Sequence, residues 1–133
     1  EILEAWVENI IPEHASRFQP YDGRYPAVSN NRLKDYVLTY KEVEMNGYRI
    51  DSIIRYPDGN WELVEVKTSS GLGLGVIGHI LSKSTMFENK FTVKSANVEM
   101  TILADGSSKT FEKAVSGVNR QCGVGINIKE IDI

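Results

Sequence analysis

The sequence predicts an α/β domain in which a mixed central sheet is flanked by helices. Segments rich in β-branched and aromatic residues alternate with segments whose apolar residues recur at helical spacing, in the order α-β-β-β-α-β-α-β. Three strands in succession favour an antiparallel meander, and the later helices favour crossovers to further strands. A length of 133 residues with 41% hydrophobic and 25% charged residues is ordinary for one domain with one core.

The first part of the chain predicts a helix, a loop and a strand. Apolar residues at helical spacing indicate a helix over residues 1–11, which Pro12 ends or kinks. Residues 19–31 contain two prolines and a glycine at short intervals, which predicts a loop. A strand over residues 36–45 follows, and Asn46-Gly47 after it is typical of a tight hairpin turn.

The middle of the chain predicts a second hairpin followed by a helix. Strands over residues 48–56 and 61–68 flank the turn sequence Pro57-Asp58-Gly59. A glycine-rich passage over residues 71–78 then leads into a helix that runs to about Phe87.

The last part of the chain adds a strand, a helix and a further strand. Residues 97–104 alternate as a strand, and Ser107 is a plausible N-cap for the helix that follows. Gly123 ends that helix, and residues 124–133 alternate as a last strand. We therefore expect one domain over residues 1–133. A domain excised from a longer chain is an alternative that stays open.

Bulk properties exclude several classes of protein. No run of 18 apolar residues occurs, so we expect no membrane partner. The single cysteine, Cys122, cannot form an internal disulfide, which favours a cytoplasmic location. A net charge of −3 argues against a general nucleic-acid coat protein. A homodimer is possible, although no sequence feature fixes the oligomeric state.

Charged residues interrupt the apolar strand at residues 61–68. Side chains alternate across a strand, so Glu65 and Lys67 share one face while Val64 and Val66 share the other. The apolar surroundings place this carboxylate and this ammonium near the middle of a sheet. Charges there are costly unless they are paired or bound to a metal ion.

Whether Asp51 on the preceding strand meets Glu65 depends on the hairpin register. A two-residue turn would set Asp51 opposite Val66, whereas a three-residue loop Pro57-Asp58-Gly59 sets it opposite Glu65. The order Pro, Asp, Gly suits the longer loop, a type I turn followed by Gly in the left-handed region. Residues directly opposite each other have Cβ atoms roughly 5 Å apart on the same face. We therefore expect the two carboxylates to meet.

Two carboxylates this close predict a divalent cation and phosphodiester chemistry. They repel unless a cation lies between them, and Mg²⁺ or Mn²⁺ prefers such oxygen ligands. A bound ion can polarise a phosphoryl group and generate a hydroxide nucleophile. Lys67 can orient that water and stabilise charge on the phosphate oxygens.

The segments Gly47-Tyr48-Arg49-Ile50-Asp51 and Leu63-Val64-Glu65-Val66-Lys67-Thr68 resemble the core motif of the PD-(D/E)xK nuclease superfamily. The resemblance implies a restriction-endonuclease-like core, α-β-β-β-α-β, with an added C-terminal α-β. It further implies metal binding by Asp51, Glu65 and the backbone carbonyl of Val66, with Lys67 assisting catalysis. Many members add an acid from the first helix, for which Glu4 is the candidate and Glu8 the reserve. Ile50 replaces the proline of the motif.

The predicted function is therefore metal-dependent hydrolysis of nucleic acid, with DNA favoured. His79 and Lys83 lie four residues apart on one helical face, and Arg55 shares the strand face of Asp51, so these three are candidate substrate-binding residues. Two alternatives stay open. One is a catalytically silent nuclease-fold module that binds nucleic acid or a protein partner. The other is a nucleotide-binding module that uses the glycines at residues 73–78, which fit the dinucleotide fingerprint only in spacing.

Overall fold

The computed structural model describes residues 38–45, 47–56 and 59–130, which form five strands and two long helices. The predicted first helix, with Glu4 and Glu8, and the predicted loop at residues 19–31 lie outside the described residues. The elements are β1 (Leu38–Met45), β2 (Tyr48–Arg55), β3 (Trp61–Lys67), α1 (Leu74–Phe91), β4 (Val98–Ala104), α2 (Lys109–Cys122) and β5 (Ile126–Glu130).

The strands form one mixed sheet in the order β1-β2-β3-β4-β5. Strands β1, β2 and β3 pair antiparallel, while β3, β4 and β5 pair parallel. The predicted meander and the two helical crossovers are therefore confirmed. Parallel neighbours require a long connection, and helices α1 and α2 provide it.

Both hairpins have the predicted register. Met45 pairs with Tyr48 across a two-residue turn, and Gly47 has a φ of +84°, a left-handed value that favours glycine. In the second hairpin, the Tyr56 N–H donates to the Asn60 carbonyl at 2.9 Å, and Gly59 has a φ of +90°. These contacts enclose three loop residues, so the register that sets Asp51 toward Glu65 is the one that the sequence predicts.

The helices differ from the prediction at their ends. Helix α1 begins at Leu74, inside the glycine-rich passage, and continues past Phe87 to Phe91. Helix α2 is capped by Ser108 rather than by Ser107, because the Ser108 side chain accepts a hydrogen bond from the Phe111 N–H at 3.1 Å.

Helices α1 and α2 cover one face of the sheet, here called the helical face. Near α1 the core includes Trp61 and Phe87, whose ring centroids lie 5.3 Å apart. A second cluster joins both helices to β4 and β5 and includes Ile80, Ile102 and Phe111. Alternation along β3 places Trp61, Leu63 and Glu65 on this face, so the packing that anchors α1 also sets its distance from Glu65.

The opposite face of the sheet holds a second buried carboxylate. Glu62 is fully buried and accepts hydrogen bonds from the Tyr56 hydroxyl and the Thr101 hydroxyl. The Lys129 ammonium lies 3.1 Å from the same carboxylate. These residues connect the second hairpin with β3, β4 and β5, which stiffens the sheet from which the site is built.

No helix within the described residues is long and apolar enough to cross a membrane.

Candidate active site

The site is built where the hydrogen-bonded ladder between β2 and β3 ends. The last paired residues are Ser52 and Val64, one step short of Asp51 and Glu65. Beyond that point the Asp51 side chain replaces a backbone acceptor, because its Oδ2 accepts the Val66 N–H at 2.8 Å. The side chain of Asp51 is 25% exposed, so its carboxylate is fixed to β3 and still reaches solvent.

Glu65 is the buried carboxylate of the site. Its side chain is 4% exposed, and its Oε1 accepts a hydrogen bond from the Lys83 ammonium at 2.7 Å. Burial raises the pKa of Glu65 above its usual value, and the nearby Asp51 charge acts in the same direction. The hydrogen bond and charge of Lys83 and the charge of Lys67 oppose that rise without cancelling it. Burial therefore outweighs the two lysines in setting the pKa of this carboxylate.

The predicted residues open into one cavity of about 440 Å³. Its lining consists of Gly47, Tyr48, Arg49, Asp51, Glu65, Val66, Lys67, His79 and Lys83. The register of the second hairpin places the two carboxylates in this cavity. The packing of α1 on the sheet places His79 and Lys83 there as well, one helical turn apart. Six of the residues singled out in the sequence thus share one cavity.

The rim of the cavity carries a cation and an aromatic ring. The Arg49 side chain is 58% exposed, and its guanidinium lies 4.0 Å from Asp51 Oδ1. Tyr48 is an exposed large hydrophobic residue, beside the turn at Gly47. An exposed ion pair at this distance contributes little to stability, so Arg49 is free to exchange the carboxylate for another anion.

Arg55 is the predicted substrate residue that the structure places elsewhere. It shares the helical face with Asp51 but lies at the other end of β2, where its guanidinium is 5.2 Å from the centre of the Trp61 ring. It also donates to the Tyr56 carbonyl at 3.4 Å. Arg55 is not among the lining residues of the cavity, so the geometry gives its predicted substrate role no support.

The described residues offer a hard-oxygen donor set with room for a cation. In the described part of the chain, the Arg49 guanidinium at 4.0 Å is the ion-pair partner of Asp51 Oδ1, and no donor is bonded to Glu65 Oε2. These two oxygens and the Val66 carbonyl fit the ligands that Mg²⁺ and Mn²⁺ accept with several waters. No group of three His, Cys, Asp or Glu side chains suited to a metal ion occurs in residues 38–45, 47–56 and 59–130. The predicted third acid, Glu4, lies outside them.

Two loops are joined to each other at the carboxyl ends of β3 and β4. The Ser69 N–H donates to Asp105 Oδ1 at 2.7 Å and joins the loop after β3 to the loop after β4. Gly106 lies against Ser69, where an added Cβ would be 3.3 Å from the Ser69 Cβ. This tie fixes the backbone that follows Lys67.

The contact between Lys83 and Glu65 was not predicted from the sequence. A signal for it exists in α1. Ile80, Ser84 and Phe87 form the buried stripe of the helix, and Lys83 lies beside that stripe rather than on the exposed side. A lysine beside an apolar stripe extends its ammonium to water or pairs with a carboxylate, and the structure shows the second arrangement.

The glycines at residues 73–78 do not form a dinucleotide-binding turn. Six residues separate the end of β3 from the start of α1, and Gly75 and Gly78 lie inside the helix with open space around them. A dinucleotide fingerprint requires the glycines in the tight turn between strand and helix.

The sheet order, the antiparallel meander and the parallel crossover strands define a restriction-endonuclease-like α/β fold, as predicted. Two solved structures share it. A repair endonuclease from Pyrococcus abyssi matches 70% of this chain with a TM-score of 0.50 and 14% identity. An EndoMS–dsDNA2 complex matches 77% of this chain with a TM-score of 0.51 and 12% identity.

This chain spans only 37% and 40% of the lengths of those two proteins. No protein-family model and no curated protein sequence matches it. The likeness therefore concerns the fold, and the chemistry must be argued from the residues of this chain.

Proposed function

We propose that this chain is a metal-dependent nuclease that hydrolyses phosphodiester bonds in DNA. One observation carries the proposal. Asp51 and Glu65, from neighbouring strands, open into a single cavity together with Lys67, His79 and Lys83. Acids and cations gathered in this way suit a reaction that activates water beside a phosphate group.

Asp51, Glu65 and the Val66 carbonyl would hold the metal ion, Mg²⁺ or Mn²⁺. When bound, the ion supplies Lewis acidity toward a phosphate oxygen and lowers the pKa of a bound water. The Val66 N–H holds Asp51 in place, and the surrounding strands hold Glu65, so both ligands are positioned before any ion arrives.

The lysines and His79 act on the substrate. Lys67 is placed to orient the attacking water and to stabilise charge on the non-bridging phosphate oxygens. His79 and Lys83 face the same space and can donate hydrogen bonds to the phosphate. The water oxygen forms a new P–O bond as the P–O bond to the leaving sugar oxygen breaks. The products are a phosphomonoester and a hydroxyl group, and the water's protons pass to the leaving oxygen and to solvent.

Duplex DNA is the favoured substrate for two reasons. The rim offers Arg49 for a phosphate and the exposed ring of Tyr48 for a base or sugar, next to the carboxylates. Two of the solved structures with this fold are described as a repair endonuclease and as an EndoMS–dsDNA2 complex. At 12–14% identity these names guide the choice of substrate and do not establish it.

A catalytically silent binding module is the second candidate. The Lys83–Glu65 pair would serve such a module as a structural ion pair. However, a silent module has no use for Lys67 and Asp51 in the same cavity as that pair.

Nicking of supercoiled plasmid in Mg²⁺ or Mn²⁺ tests the proposal. The informative variants are Asp51→Asn, which keeps an acceptor for the Val66 N–H, and Lys67→Met. We expect each to lower nicking by about 100-fold or more, since each removes a charge from the reacting centre. Lys113→Met, an exposed change on α2, is the control and should cut like the wild type.

The outcomes separate the two candidates. If the wild type cuts neither single-stranded, duplex nor branched DNA in either metal, the enzyme proposal is wrong. If it still binds DNA in that case, the silent module replaces it. Cutting that survives in both Asp51→Asn and Lys67→Met would place the chemistry elsewhere.

A further inference from the structure

We infer that Lys83 is an exchangeable cation that couples metal binding to substrate binding: it pairs with Glu65 in the metal-free chain and passes to the substrate phosphate when a metal ion binds. This inference rests on the proposed function. Lys83 would then be more than another phosphate contact, because its movement would link two binding events.

The charges in the cavity provide the first argument. The carboxylates of Asp51 and Glu65 share this space with three cations, which are the ammonium groups of Lys67 and Lys83 and the guanidinium of Arg49. A divalent ion added to this set raises the local charge by two while the Lys83 ammonium still lies 2.7 Å from Glu65. Like charges in a partly desolvated site repel strongly, so the metal ion and the ammonium compete for the same carboxylate.

The position of Lys83 provides the second argument. Its side chain is 15% exposed, and it extends from the third turn of α1 into the cavity rather than into a closed core. His79, one turn earlier, faces the same space and is exposed. The flexible stem of lysine lets the ammonium move several ångströms without any change in the helix. An ammonium leaving Glu65 therefore stays within the cavity, where an incoming phosphate lies.

Thermodynamic linkage gives the consequence. A phosphate that attracts Lys83 removes a competitor of the metal ion, and a metal ion that displaces Lys83 frees a cation for the phosphate. Each ligand must therefore strengthen the binding of the other by the same factor. In a chain without substrate, metal binding should be weak, which protects against activation of water when no DNA is present.

Binding of Mn²⁺ to the full chain, without DNA, tests the first half of the inference by calorimetry or by electron paramagnetic resonance of free Mn²⁺. We expect Lys83→Met to bind Mn²⁺ about fivefold or more tightly than the wild type, because the competing cation is gone. Lys90→Met is the matched control. It removes an exposed ammonium from the same helix, close to the Phe91 ring and remote from Glu65, and should leave the affinity unchanged.

The second half is tested by nicking at saturating Mn²⁺. We expect Lys83→Met to need about fivefold or more DNA for half-maximal rate, since the phosphate loses its ammonium partner. Mn²⁺ binding that is weaker or unchanged in Lys83→Met would mean that Lys83 only orients Glu65, and would overturn the inference. Tighter Mn²⁺ binding with an unchanged DNA requirement would also overturn the inference, since Lys83 would then make no contact with the substrate phosphate.

These failures differ from failure of the proposed function. If the wild type binds Mn²⁺ and cuts DNA but Lys83→Met behaves like Lys90→Met, the inference is wrong and the proposed function stands. A wild type that neither binds Mn²⁺ nor cuts DNA removes both.

Discussion

Replacing Asp51 should separate its role in the fold from its proposed role in the chemistry. Its Oδ2 is the acceptor of the Val66 N–H at 2.8 Å, just beyond the last backbone pair of the two strands. Asp51→Ala removes that acceptor, whereas Asp51→Asn keeps an oxygen in the same place and removes only the charge. The two variants should therefore be equally inactive and unequally stable.

The size of the effect follows from burial and charge. A hydrogen bond to a charged acceptor contributes about 1.5–3 kcal/mol net, and a buried donor left without an acceptor costs about 1–3 kcal/mol. Val66 is only half-buried and the Asp51 side chain is 25% exposed, so water can partly replace the lost acceptor. We expect Asp51→Ala to lower the free energy of unfolding by about 1.5 kcal/mol. For a domain of this size the Tm should fall by about 5 °C.

Asp51→Asn should stay within about 0.5 kcal/mol of the wild type, because relief of the repulsion with Glu65 offsets the weaker neutral acceptor. Urea denaturation in EDTA, followed by far-UV circular dichroism, measures both variants without interference from metal ions. Equal stability of Asp51→Ala and Asp51→Asn would show that the hydrogen bond between Asp51 and the Val66 N–H does not stabilise the fold.

Three further predictions concern the sheet and the buried acids. Glu62→Ala removes the common acceptor of three donors, one of them Lys129, and should lower the free energy of unfolding by about 3 kcal/mol in urea titrations. Burial raises the pKa of Glu65, so the folded state retains a proton that the unfolded state releases. In EDTA, the advantage of Glu65→Gln over the wild type in urea midpoint should therefore grow as pH rises from about 4.5, and a flat difference would contradict the burial argument. Gly59→Ala places a side chain at a φ of +90° and should cost about 1–2 kcal/mol, while Gly73→Ala, in open space at a negative φ, should cost less than about 0.5 kcal/mol.

The strands and the register between β2 and β3 could be predicted from the sequence because both depend on local rules. The turn at Gly59 fixes the number of loop residues, and the number of loop residues fixes which side chains face each other. Alternation along β3 then assigns Glu65 and Lys67 to one face. No tertiary information was needed for either step, and the predicted register is the one in the structure.

The contacts between the helices and the strands could not be predicted from local sequence rules. Which strand a helical residue meets depends on how the helix is docked, and that depends on shapes such as the packing of Phe87 against Trp61. Lys83 and Glu65 therefore met without being predicted as partners. Arg55 shows the reverse error: sharing a face with Asp51 did not place it at the same end of the strand.

The N-cap of α2 illustrates a smaller source of error. Ser107 and Ser108 are both chemically able to cap the helix, and the sequence gives no physical basis for choosing between neighbours. The bond from the Phe111 N–H selects Ser108.

Within the described part of the chain, the cavity residues all come from one stretch, from Gly47 to Lys83. Its first part is a hairpin, which closes in microseconds, and its last part is the helix that directly follows. The stretch has low contact order, so the site can assemble before α2 and β5 arrive.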